Sequence, residues 1–381
     1  MALKRRTLIA LAVPLLVGAG ALAFFFFQPP RSPLDALPAD SFAVLTVDAD
    51  AMRKSSLAPT FHEYVRQFAK LPAGCNVDLS ERTNEAALAV AEGKPELGLA
   101  LSGQLTEAEL LSCKAAFEKA EAGGGAAGAG ASGATESDHG SFRVSKSTQF
   151  GKQTYIAWSR RGPLTLGIGE FTERMLDAVD GKVPRVGAGA AGDLHGELRA
   201  SLKARAKTRI GALFTAIPTA KLRAEFAEYV PLGSFLERVK PLTTISAFGI
   251  ALAPGVKDGD AELLAEARCD DEALCEKVKE LVMRQRFEVG KNFAFRLGGF
   301  GPLIDQLTVE RDGKRLKLHT HDSAEAIARN LTQAKSFLSL TDLPLPGLTG
   351  PAGDRTKPPV NVPRETLTAP RPTTNAPVPS K

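Results

Sequence analysis

His319 and His321 come nearest to a metal site by type and spacing. Two residues apart on a strand, they share a face and could hold a cation with a third ligand. Arg315 and Lys317 fall on that same face and oppose a cation, while Leu316 and Leu318 take the core side. The expectation is a solvated polar face and no metal. His62, His139 and His195 occur singly, and His139 borders a Gly-rich stretch ill suited to holding a catalytic group.

Two segments fit the dinucleotide pattern G-x-G-x-x-G, Gly123 to Gly128 and Gly187 to Gly192. Cradling a phosphate requires such a turn to leave a buried strand and open a helix, and neither segment follows a convincing strand. Both read as linker, and no cofactor is expected. The chain has no Walker A motif and no G-x-S-x-G elbow. Glu63 and Glu228 recur in a repeated helical motif and read as its polar flank. Tyr155 and Trp158 fall on opposite faces of one strand by parity, so they form no stacking platform.

The four cysteines, Cys75, Cys113, Cys269 and Cys275, are disulfide candidates rather than redox centres. Cys269 and Cys275 enclose Asp270, Asp271 and Glu272, which would raise a thiol pKa. All four lie beyond an apolar segment that directs export, and an even number in an oxidising compartment favours pairing. Cys75–Cys113 and Cys269–Cys275 are the favoured pairs, the second with Cys269 ending a strand and Cys275 in the following helix. Four buried thiols are the alternative.

The elements that would position these residues alternate between two periodicities. Phe42 to Val47 reads as a buried strand, and Phe61, Tyr64, Val65 and Phe68 make one helical stripe. Strands follow at Ala86 to Ala91 and Leu97 to Leu101, then a helix opened by the capping box Thr106 to Glu109. After a flexible Gly/Ala-rich insertion over 123–140, strands at Phe142 to Val144, Thr154 to Trp158 and Leu164 to Ile168 precede a helix from Phe171 to Val179. The second half repeats the order. It has a strand at Ile210 to Ile217, a helix with Leu222 and Phe226, and strands at Thr244 to Leu252 and Glu262 to Ala267. A helix with Leu274 and Val278 follows, then a hairpin turning at Asp312-Gly313.

Three correspondences suggest duplication. Phe61-His62-Glu63-Tyr64-Val65 matches Phe226-Ala227-Glu228-Tyr229-Val230, Cys113 matches Cys275 on its helical stripe, and the turn at Ser159 to Gly162 matches that at Glu310 to Gly313. The expected fold is α+β, with two roughly ferredoxin-like halves, 41–182 and 209–343, each a mostly antiparallel sheet with helices on one face. The connector 183–208 ends in a basic helix read as exposed.

Lys4, Arg5 and Arg6 precede an uncharged run from Thr7 to Phe27, about 31 Å long as a helix. The expectation is a transmembrane signal anchor over 7–27, with a cytoplasmic tip at 1–6, a linker at 28–40 and the bulk of the chain extracytoplasmic. Cleavage after Ala21-Leu22-Ala23, releasing the chain, is the alternative. The Pro-rich tail 344–381 reads as disordered. The formal charge of +5 comes from the two ends, since residues 28–344 sum to −1. A nearly neutral fold removes the case for nucleic-acid binding.

The anchor, the run Leu37-Pro38-Ala39-Asp40-Ser41 before the first strand, and the cysteine placement resemble uncharacterised membrane-anchored bacterial proteins with duplicated α+β modules outside the membrane. That resemblance implies no activity or site. With no nucleophile, base and orienting group in one constellation, the chain reads as a periplasmic binding or scaffolding protein, its partners being the membrane and an envelope protein or ligand. The alternatives are a hydrolase-like enzyme with a site between the halves, and a carrier with an apolar cavity between sheet and helices.

Overall fold

The computed structural model describes residues 31–330, apart from 69–73, 76, 95, 107, 110–111, 114, 117–134, 150–151, 190–191, 230–239, 294–295 and 297–298. The expected anchor at 7–27, the tail at 344–381 and most of the Gly/Ala-rich insertion lie outside the described residues. Among the described residues, no helix is long and apolar enough to cross a membrane.

The chain forms an α+β fold around one twelve-stranded antiparallel sheet. Its strands are β1 (Ala43–Asp48), β2 (Thr83–Val90), β3 (Leu97–Gly103), β4 (Thr135–His139), β5 (Phe142–Gln149), β6 (Lys152–Trp158), β7 (Leu164–Ile168), β8 (Ala212–Ala216), β9 (Ile245–Pro254), β10 (Asp260–Cys269), β11 (Thr308–Asp312) and β12 (Arg315–Ser323). In space they run β11-β12-β10-β9-β8-β1-β2-β3-β7-β6-β5-β4. The helices are α1 (Ala49–Arg53), α2 (Ala58–Phe68), α3 (Leu79–Arg82), α4 (Phe171–Val179), α5 (Leu194–Arg205), α6 (Ala220–Tyr229), α7 (Glu272–Lys291) and α8 (Gly301–Asp305). A last helical segment covers 324–330.

The first strands of the two halves, β1 and β8, lie side by side at the centre, antiparallel from Ala43↔Ala216 to Val47↔Ala212. The outermost strands are polar. β4 reads Thr-Glu-Ser-Asp-His and β11 reads Thr-Val-Glu-Arg-Asp, so neither free edge invites another strand.

The structure departs from the sequence expectations at several points. β4 forms within the stretch expected to be flexible, because antiparallel pairing with β5 orders residues that lack any apolar alternation. Helices cover both faces of the sheet rather than one. Leu264 of β10 packs with Leu202 of α5, whereas Ala267, three residues on and therefore on the other face, packs with Val278 of α7. Third, the connector helix α5 is not exposed. His195 and Leu202 are fully buried, and Leu198 and Arg199 nearly so.

Helix α5 spans the seam between the halves. His195 Nε2 lies 2.8 Å from the Ser41 carbonyl beside β1, and Nδ1 lies 2.7 Å from Thr215 Oγ1 on β8. A carbonyl only accepts, so Nε2 carries the proton and Nδ1 accepts from Thr215. Residues 31–40, read as linker, pack down as well. Ser32 caps a short 3-10 helix, and Ala36 and Leu37 are fully buried. Helix α4 sits close on the sheet over Gly98 and Gly167, where a Cβ would overlap Met175 Sδ and Thr172 Oγ1.

The two disulfides are Cys75–Cys113 and Cys269–Cys275, the latter tying the end of β10 to the first turn of α7. Chain entropy favours the longer loop, with separations of 38 against 6 residues. Replacing Cys75 and Cys113 by Ala is therefore expected to cost about 4 kcal/mol, against about 2 kcal/mol for Cys269 and Cys275. Denaturant unfolding of the two double variants checks the order.

Burial depresses the pKa of His195, although the Ser41 carbonyl opposes the shift. Its contribution to stability is complete above the unfolded value of about 6.5 and is lost as pH falls toward the lower folded value. His319, lowered first by burial, acts in the same direction. Melting temperature should fall between about pH 7 and pH 5, and His195→Gln should flatten that slope.

Candidate functional site

The strand registers place one row of residues across ten of the twelve strands on each face. On the face under α4 and α5 the row runs Val144, Ala157, Thr165, Ala100, Ala87, Thr46, Leu213, Ala251, Leu264 and His319. Most of these are small and buried. On the opposite face the row runs Ile156, Leu166, Leu99, Leu88, Leu45, Phe214, Ile250, Ala265, Leu318 and Val309. These residues are mostly large and apolar, and none is fully buried. Exposed apolar residues in single positions are ordinary, but a contiguous stripe of them marks a binding surface.

A groove of about 620 Å³ opens over part of this stripe. Its floor is Phe248 and Ile250 of β9, Ala265 and Ala267 of β10, and Leu318 of β12. Leu222 of α6 and Leu242 and Ile245 form one wall, and Phe42 with the β2–β3 turn forms the other. Ile250 is 40% exposed and Leu242 39%, so apolar side chains meet the opening directly. The volume is that of an ordinary small-molecule site.

The polar groups at the groove are largely committed. Glu92 accepts from the Thr219 backbone N–H at 3.1 Å and from the Thr219 hydroxyl, and so holds the residue whose hydroxyl caps α6 at Leu222 N. Arg223 Nη1 donates to Asp270 Oδ2 at 2.6 Å, while its buried Nε has no hydrogen-bond partner. Lys94, 63% exposed at its side chain, stands 3.9 Å from Glu96. The lining can enclose an apolar body and offers a cationic end.

The residues singled out by sequence are dispersed relative to this groove. His319 and His321 stack with ring centroids 5.9 Å apart on the face opposite the groove. Among the described residues, no cluster of three or more His, Cys, Asp or Glu could hold a metal ion. His62 Nδ1 contacts Ser80 Oγ at 3.1 Å and His139 Nε2 contacts Asp177 Oδ1 at 2.8 Å. Glu63 is exposed on α2, and the Glu228 side chain lies outside the described residues. Tyr155 is buried under α4, with Trp158 on the other parity.

Gly187 and Gly192 flank the start of α5, but the Asp193 carboxylate occupies that helix end. It accepts from Gly187 N at 2.6 Å and Gly196 N at 2.8 Å, where a phosphate would have to bind. The segment from Gly123 to Gly128 lies outside the described residues.

Sequence reasoning missed the groove because its lining comes from Phe42 ahead of β1 and from β2, β9, β10, β12 and α6, each an ordinary apolar element by itself. The one available signal was alternation on β9, where Phe248, Ile250 and Leu252 share a parity opposite Ala247, Gly249 and Ala251.

No family model matches the chain, and no curated protein matches its sequence. Solved structures of TP0453 are similar. Crystal form I gives a TM-score of 0.44 at 10% identity, covering 80% of this chain and 97% of that one. Form III gives 0.41 at 11%, covering 80% and 98%, and form IV gives 0.42 at 12%, covering 79% and 96%. Scores at this level describe a distant likeness and carry nothing about activity.

The asymmetry of the two faces has a direct test on neighbouring residues of β9. Ala251→Asp, at a fully buried position, should cost upwards of about 3 kcal/mol, whereas Ile250→Asp in the open groove should cost under about 1 kcal/mol. Urea unfolding of both variants measures the difference.

Proposed function

We propose that this chain is an extracytoplasmic binding protein of the bacterial cell envelope whose groove takes an apolar ligand of acyl-chain type. The observation that carries the reading is the groove itself, an open trough of about 620 Å³ floored by Phe248, Ile250, Ala265 and Leu318. Burying an apolar chain there removes exposed aliphatic and aromatic surface from water at roughly 25 cal/mol per Å². Glu92 and Arg223 are held by Thr219 and Asp270, which favours binding over catalysis at this site.

The envelope location is supported by two features. Two disulfides suit an oxidising compartment. The basic tip and the apolar run from Thr7 to Phe27 suit a signal anchor that keeps the amino terminus in the cytoplasm. The partners in this reading are the membrane, through that segment, and the apolar ligand; nucleic acid is not one.

The two halves are read as a duplication. β1, the helices α1 to α3, β2 and β3 are followed, after the β4–β5 hairpin, by β6, β7 and α4, while β8, α6, β9 and β10 are followed, after α7 and α8, by β11, β12 and the segment 324–330. The strand order supports this, since β9, β10, β12 and β11 run outward from β8 as β2, β3, β7 and β6 run outward from β1.

Titration of the purified chain with cis-parinaric acid tests the binding reading. Saturable one-to-one fluorescence enhancement is expected. Ala265→Trp, which fills the floor, should weaken it at least about tenfold by excluding the chain. Absence of saturable binding, or wild-type affinity in Ala265→Trp, would sink the proposal.

A further inference from the structure

Six large apolar side chains are exposed among the described residues. Leu242 and Ile250 belong to the groove. Three of the other four fall in one short stretch, the C-terminal half of α7 and the residues just beyond it. Met283 is 40% exposed, Phe287 62% and Phe293 74%. An amphipathic helix on a sheet turns such residues inward, as the first half of α7 does with Cys275, Val278 and Leu281. Single exposed apolar residues are ordinary, but aromatic rings gathered at the end of one helix mark a contact surface.

The charges divide along the same helix. Glu272, Glu276 and Glu280 outnumber Lys277 and Lys279 over 272–282, whereas 283–296 carries Arg284, Arg286, Lys291 and Arg296 against Glu288. Arg286 donates to the Ile304 carbonyl at 3.0 Å and the Asp305 carbonyl at 2.9 Å, and Arg296 pairs with the Asp305 carboxylate at 2.8 Å. With Asp305 set against Arg296, three cations still outweigh Glu288. Arg284 and Lys291 are exposed, and Lys291 Nζ lies 3.8 Å from the Phe287 ring centroid. A helix lying in a membrane interface presents this mixture, its rings entering the acyl boundary and its cations meeting the headgroups.

The patch lies at the end of the sheet where the amino-terminal segment enters. The Arg31 backbone N–H donates to the Arg161 carbonyl in the β6–β7 turn at 2.8 Å, and Ser32 Oγ donates to Glu85 near the start of β2 at 3.0 Å. Strand register carries this end across the sheet from Leu164 of β7 through Val47 of β1 to Thr320 of β12. Thr320 Oγ1 donates to the Leu303 carbonyl of α8 at 2.8 Å, and a Cβ on Gly290 of α7 would lie 3.5 Å from Ile304. Val256, the remaining exposed apolar residue, sits in the β9–β10 turn at this end too. With an anchor ending at Phe27, the chain to Arg31 spans at most about 14 Å, which keeps this end of the fold near the bilayer.

We propose that the C-terminal end of α7, with Met283, Arg284, Phe287, Lys291 and Phe293, is a second membrane contact that docks on an anionic lipid surface. An apolar protein partner would use the rings alone, whereas an anionic bilayer uses rings and cations together. The inference rests in part on the anchor reading and is independent of the ligand proposed for the groove. The groove wall at Phe42 and the β2–β3 turn lies toward the opposite end of the strands, where Ala43 pairs with Val90. Contact through α7 therefore leaves the groove open on the side away from the bilayer.

Reconstituting the full chain into vesicles of acyl-brominated phosphatidylcholine, with and without about 30% phosphatidylglycerol, tests the contact by flotation and tryptophan fluorescence. Phe287→Trp places a reporter in the patch, and the wild type, with Trp158 as its one tryptophan, gives the background. In anionic vesicles Phe287→Trp should be quenched at least about twofold more than the wild type, and adding Arg284→Glu with Lys291→Glu should return it to background. Phe293→Trp repeats the measurement should the first variant misfold. Quenching no greater than background, or quenching that survives charge reversal, would overturn the proposal. A blue shift in Phe287→Trp without quenching would mean that protein, a second copy included, covers the patch, and overturns it as well. Flotation separates this result from the anchor. A chain that floats with both vesicle types yet shows no quenching keeps the anchor and loses the contact, and one that floats and is quenched only in anionic vesicles keeps the contact without the anchor.

Discussion

The pairing of β1 with β8 is the constraint on which the rest of the molecule depends. Each is the first strand of its half, and each would otherwise present a row of unpaired backbone groups to solvent. Joined antiparallel, they close both edges at once and turn two sheets into one of twelve strands. Among the described residues the outermost strands, β4 and β11, are then the free edges, and both are dominated by polar and charged residues. A long sheet with a protected centre and polar edges resists pairing with copies of itself.

Helix α5 holds that junction from one side. Its neutral His195 bridges Ser41 and Thr215, and Leu202 packs with Leu213 of β8, Ala251 of β9 and Leu264 of β10. The close approach needs small residues below, and a Cβ at Gly249 would come within 2.9 Å of Leu202 Cδ1. Covering this face so tightly leaves the large side chains of the sheet to the other face. There the helices lie toward the margins of the row, and the groove opens over Ile250 and Ala265. The dense face and the open face are two consequences of the same alternation along each strand.

Much of the local structure was legible in the residues. The alternation at Leu316 and Leu318 and the turn at Asp312-Gly313 foretold the β11–β12 hairpin, and Gly313 adopts the positive φ that such a turn requires. The helix from Phe171 to Val179 was equally plain from its apolar spacing. What misled was the connector. Lys203 and Arg205, with Lys207 just beyond, made α5 look like a solvated basic helix, yet Arg205 reaches the Ala265 and Leu318 carbonyls and Lys207 approaches the buried Glu262. Charge on a helix says nothing about burial when its partners are acids and carbonyls on a distant strand.

By itself the sequence determined the α+β class, the helix and hairpin positions, the cysteine pairs and a nearly neutral fold between basic ends. These depend on neighbours within a few residues, or on chemistry that leaves few options. The tertiary structure alone decided that the halves share one sheet, that helices cover both faces, and that an apolar groove and a buried guanidinium exist. Each arises from residues more than a hundred positions apart, such as Thr46 with Arg199 or Phe42 with Leu222. Periodicity records which way a side chain points, but not what the folded chain brings to meet it.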